Sequence, residues 1–79
     1  MNLKECPVAY AVLHGPIFIP GSSGRGINLG PTLDSDSIAG KSKGLKMTLL
    51  DGNMLYIEVT GGQTLIPKAN VQHMVPSKN

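Results

Sequence analysis

Residues with the chemistry for a site fall into a few groups. Ala39-Gly40-Lys41-Ser42 has the residue types that end a phosphate-binding loop, in which glycine N–H groups cradle phosphate oxygens and a lysine neutralises them. The full motif needs an earlier glycine where this chain has Ser35, a strand before it and a helix after it. A polar stretch precedes it and Gly44 follows closely, so it reads as solvated backbone, and no cofactor is expected. Gly21-Ser-Ser-Gly24-Arg25-Gly26 has a flexible backbone and one guanidinium, the parts of an anion clamp, but a surface loop with one solvating charge is the simpler reading. Lys41, Lys43 and Lys46 add positive charge, and with Arg25 they form a candidate surface for an acidic partner.

Other combinations are poorer. His14, His73 and Cys6 lack zinc-site spacing and a fourth ligand, so no metal is expected. Nucleophilic catalysis needs an activated Ser or Cys with a base and an orienting carboxylate. Cys6 precedes Pro7 with no activating neighbour, and Asp34 and Asp36 in a Ser-rich stretch read as turn caps. No catalytic residue is assigned and the chain is not expected to be an enzyme. Met54 and Tyr56 are different, because they lie on the side of a strand opposite Leu55 and Ile57. If the aliphatic side forms the core, they make an adaptable apolar patch for a partner. The rival reading buries both sides, the second one under Ile17-Phe-Ile19.

The elements that position these residues are mostly strands. Val8–His14 is β-compatible, Gly15-Pro16 breaks it, and Ile17–Ile19 resumes it before Pro20-Gly21. Residues 21–44 interleave Gly and Ser with isolated Ile27, Leu29, Leu33 and Ile38, a pattern that reads as a long flexible loop. Within it Asp34 is a possible cap for one helical turn. From Leu45 the pattern sharpens. Leu45, Met47 and Leu49 alternate with Lys46 and Thr48, Asp51-Gly52-Asn53 marks a turn, and Leu55, Ile57 and Val59 alternate with Tyr56 and Glu58. Gly61-Gly62 marks a second hairpin, Gln63–Ile66 pairs back, and Pro67 stops it. Lys68-Ala-Asn70 fits one 3₁₀ turn, and Val71–Val75 is a last strand.

Composition agrees with a single small domain over 1–79. The chain has 79 residues, ten Gly, six Pro and one Cys, so it has turns in quantity and no internal disulfide. A net charge of +2 is mild for a protein that grips phosphates, and 4% aromatic residues with no Trp leave few stacking platforms for bases. The N-terminus lacks a signal-peptide-length apolar run, and Pro7–Pro20 is too short and too interrupted to span a bilayer. A cytoplasmic protein with no membrane partner is the expectation.

The run Gly62-Gln-Thr-Leu-Ile-Pro67-Lys-Ala-Asn70-Val71-Gln-His-Met74 resembles the end of SH3-like small barrels. There a strand runs into Ile-Pro, a 3₁₀ turn follows, and Asn or Tyr before Val leads into the closing strand. The ending is also similar to that of small phage-encoded proteins of this type. The resemblance implies an all-β, partly open SH3-like barrel of about five short strands. The aromatic groove for proline-rich peptides is absent here, so it does not imply binding of that kind. The functional expectation is a non-enzymatic protein-binding module, a small viral regulator or inhibitor that docks on a host protein of the transcription or defence machinery. Its expected partner-binding residues are Arg25, Lys41, Lys43, Lys46, Met54 and Tyr56. The alternatives are a weak nucleic-acid binder, which adds Lys68 to the basic set, and a self-associating structural subunit of a virion or other assembly.

Overall fold

In chain order the protein forms β1 (Glu5–Leu13), β2 (Ile17–Ile19), β3 (Ile27–Leu29), β4 (Thr32–Asp34), a short helix α1 (Ile38–Ser42), β5 (Lys46–Leu50), β6 (Met54–Val59), β7 (Gly62–Pro67), a 3₁₀ turn (Lys68–Asn70) and β8 (Val71–Pro76). This is a computed structural model, and it describes residues 4–21 and 24–77. Every strand pairing is antiparallel, and the chain is an all-β domain. Among the described residues no helix is long and apolar enough to cross a membrane.

The second half forms as its alternation predicts. β5, β6 and β7 are a meander in which Met47, Ile57 and Thr64 stand in one row and Leu49, Leu55 and Ile66 in the next. Leu55 and Ile57 are fully buried, and Met47, Val59 and Ile66 nearly so. Asp51 and Gly52 take positive φ at the β5–β6 turn, and Gly61 does so at the β6–β7 turn. The 3₁₀ turn is pinned to the meander by the Lys68 N–H, which donates to the Asn53 carbonyl at 2.8 Å.

β1 carries the rest of the sheet. Its first half pairs with β5 from Glu5 to Val8, its second with β4 from Tyr10 to Val12, and its other edge with β8. The β8 register shifts between Val8 and Tyr10. An extra residue there changes which side chains face inward. Val8 and Ala11, three positions apart, are therefore both buried in the core.

Residues 21–44 depart from the expected flexible loop. In the described part, β3 pairs with β2, β4 pairs with β1, and α1 follows, which raises the strand count to eight from the expected five or so. The isolated apolar residues are what order it: Leu29 and Leu33 are buried in the same core as Leu55 and Ile57. The four show no common period because Ile27 and Leu29 belong to β3, Leu33 to β4, and Ile38 to the exposed start of α1. Glycine and hydroxyl groups supply the remainder. A Cβ on Gly40 would collide with the Asp34 carbonyl oxygen, so α1 packs where only glycine fits. The α1 cap is Ser37, not the expected Asp34; its hydroxyl accepts from the Gly40 N–H at 2.9 Å and donates to the Asp34 carbonyl at 2.7 Å.

Candidate functional site

The meander has a second face, whose side chains are half-buried or exposed among the described residues. Strand pairing arranges its side chains in three rows. Lys46, Glu58 and Gln63 form the first, Thr48, Tyr56 and Leu65 the second, and Leu50, Met54 and Pro67 the third. β1 extends the last two with Pro7 beside Thr48 and Glu5 beside Leu50. Leu65 is 51% exposed, and Leu50, Met54 and Tyr56 are half-buried. Cross-strand neighbours lie about 5 Å apart. Tyr56, Leu65, Leu50, Met54 and Pro67 of these rows therefore form one apolar surface, with Thr48 beside Tyr56, Lys46 and Glu58 at one end and Glu5 on the β1 side.

Of the two readings of Met54 and Tyr56, the geometry agrees with the exposed patch. Ile19, the most deeply buried residue of β2, belongs to the cluster of Leu55 and Ile57, on the opposite side of the sheet from Met54 and Tyr56. Phe18, the middle residue of β2, is 60% exposed.

The basic residues do not share this face. Lys46 alone stands on it, in the end row. Arg25 belongs to the connection between β2 and β3, Lys41 to α1, and Lys43 to the turn after α1, where its carbonyl accepts from the Thr60 N–H at 2.9 Å. All four side chains are exposed.

The motifs weighed for catalysis or phosphate binding have structural partners. The Gly40 N–H is bonded to Ser37 Oγ and the Lys41 N–H to the Ser37 carbonyl, so the two donors of the Gly-Lys pair are spent on the helix cap. Asp34 Oδ1 accepts from the Asp36 N–H at 3.0 Å, a turn cap. Among the described residues no three His, Cys, Asp or Glu side chains converge as a metal site would need. His73 instead packs edge-on against Tyr10, with ring centroids 6.3 Å apart.

Leu50, Leu65 and Pro67 are members of the apolar face that the sequence reading passed over. The signal was present for Leu65: once Ile66 is assigned inward, alternation places Leu65 outward beside Tyr56. Leu50 and Pro67 required the register. No family model, curated protein or solved structure matches this chain.

Proposed function

We propose that this domain is a non-enzymatic protein-binding module that docks on a larger protein through the outer face of β5, β6 and β7. The observation that supports it is the continuous apolar surface of Leu50, Met54, Tyr56, Leu65 and Pro67, with Met54 and Tyr56 on its central strand and Leu65 half-exposed on its edge strand. Tyr and Met are enriched at interface cores, where a few such anchors supply most of the binding energy. Charges lie at the margin of this face, as they do in interfaces whose rims are polar. The finer reading is a small viral regulator or inhibitor acting on a host protein of the transcription or defence machinery. It rests on the likeness of the Ile66-Pro67 to Val71 ending to small phage-encoded SH3-like barrels.

The test is affinity capture from bacterial lysate with the wild-type chain and with Leu65→Lys, washed at low and high salt, with and without nuclease. The expected result is one discrete protein that survives salt and nuclease on the wild type and is lost on Leu65→Lys. Capture that disappears with nuclease or salt, and is weakened by Lys41→Gln and Lys43→Gln, would replace this reading with nucleic-acid binding. Recovery of the bait alone as a large assembly would replace it with a structural subunit.

A further inference from the structure

Antiparallel strands exchange hydrogen bonds at every second pair, so one observed bond fixes which groups of β7 point away from β6. The Lys68 N–H donates to the Asn53 carbonyl, which makes 53 and 68 a bonded pair in line with the β6–β7 ladder. Steps of two along the ladder make Leu55–Ile66, Ile57–Thr64 and Val59–Gly62 the other bonded pairs. Met54–Pro67, Tyr56–Leu65 and Glu58–Gln63 are the unbonded ones, and Pro67, which has no N–H, falls where none is needed. The N–H and carbonyl groups of Gln63 and Leu65, and the Pro67 carbonyl, therefore point out from the far side of β7. Among the described residues no strand pairs with that side and no backbone bond reaches these groups. We infer that this edge pairs with the same edge of a second copy, β7 antiparallel to β7, with Leu65 opposite Leu65 on a two-fold axis.

Natural sheet edges are blunted by charge, interior proline, bulges or shortness, and an edge without them is a template for another strand. β7 has six residues, none of them charged, its proline is the last, and its ladder with β6 has no register shift. The other long edge is different, because β8 shifts register twice against β1. β4 has only three residues and ends in Asp34. β2 pairs with β3 and not with β7. It meets β7 at Gly62 from the core side, where an added Cβ would press on Ile19 and the Pro20 carbonyl.

The edge is complementary to itself. With Leu65 on the axis, the two Leu65 residues exchange N–H to carbonyl bonds, and each Gln63 N–H donates to the Pro67 carbonyl of the second copy. All four edge donors are used. The same register sets Leu65 beside Leu65 at the ~5.5 Å of a bonded pair, so the row of Tyr56 and Leu65 runs through both copies. An axis at Thr64 would also use the four donors, but it sets each Leu65 against Gln63, in the row of Glu58. Burial of Leu65, 51% exposed in the single chain, selects the first. Pairing consumes this edge in both copies, so association through it stops at two. The inference goes beyond the docking reading, since it concerns the edge of the sheet, and the pair presents the docking face at double width.

The experiment is equilibrium sedimentation of the full chain under reducing conditions from about 10 µM to about 1 mM, with amide exchange read by NMR at both ends of that range. A monomer–dimer equilibrium is expected. On dimerisation the amides of Gln63 and Leu65 should exchange more slowly, while those of Thr64 and Ile66, already bonded to β6, change little. This alternating pattern is read on the wild type and needs no variant. Gln63→Pro removes one edge donor from each copy and no bond of the β6 ladder, so it should weaken dimerisation about tenfold or more. Gln63→Ala keeps the N–H and should dimerise as the wild type does. A wild-type spectrum of each variant at low concentration shows that its fold is intact. A chain still monomeric at about 1 mM overturns the inference. So does a dimer without the alternating pattern, or one indifferent to Gln63→Pro. A monomer whose captured partner is lost on Gln63→Pro gives the edge to a foreign strand instead of a second copy. Because Gln63→Pro leaves Tyr56 and Leu65 in place, the two readings can fail separately. A monomer that captures its partner with either residue at 63 sinks the edge pairing and keeps the docking face, and a dimer that captures none does the reverse.

Discussion

The β5–β6–β7 meander and the segment between β1 and β5 share one core but are held in it by different means. The meander has strands of five or six residues, and each inward side chain lies in register with inward side chains on the neighbouring strands. Many small contacts add up along such rows. The connecting segment has three-residue strands and a five-residue helix, and it contributes Ile19, Leu29 and Leu33 to the core one at a time. Between those anchors it is held by pairing of β4 with β1 and by the Ser35 bonds to the Ala9 carbonyl, helped by single local features: a serine cap, an Asx turn, and a glycine pressed against a carbonyl. The first kind of structure tolerates local change. The second depends on individual residues.

Substitutions can break that contrast at either end. Ile57→Ala removes a fully buried side chain from the centre of the meander and should cost about 2–5 kcal/mol, read as a lower denaturant midpoint for the whole domain. Gly40→Val forces a side chain into the Asp34 carbonyl and should cost about 1–3 kcal/mol, the usual range for overpacking. Its mark in hydrogen exchange should be lost protection around α1 and β4 before any loss in β6. Ser37→Ala removes the α1 cap and should cost about 1 kcal/mol, with faster exchange at the Gly40 amide. If Gly40→Val and Ser37→Ala instead lower protection evenly across β5, β6 and β7, the two regions are one cooperative unit and the contrast fails. Leu65→Ser is the smallest change in stability, within about 0.5 kcal/mol, since the side chain is half-exposed. Its effect should appear in capture of the partner instead.

The legibility of the sequence followed the same division. Alternation at Leu45–Val59, the Asp51-Gly52 and Gly61-Gly62 turns, and the Ile66-Pro67 stop are local signals, and the structure places strands and turns where they point. The 3₁₀ turn at Lys68–Asn70 matches to the residue. The stretch 21–44 was illegible because its order is non-local. Leu33 is fixed by pairing with Ala11, and Ser35 by donating N–H and hydroxyl to the Ala9 carbonyl, across more than twenty residues of chain. No window of sequence carries that information. The candidate site lay between these cases. Met54 and Tyr56 could be read from alternation, while the basic residues Arg25, Lys41 and Lys43, adjacent in composition, are dispersed over a turn, a helix and its exit.

The chain's own pattern therefore determines an all-β domain, the C-terminal meander with its turns, and which face of β6 is aliphatic, because a period of two is a property of neighbouring residues. The tertiary structure decides the shift in β1 that turns both Val8 and Ala11 inward, the burial of Leu29 and Leu33, and the row that brings Leu65 beside Tyr56. These depend on register between strands distant in the chain, and register is chosen by what the assembled core can bury.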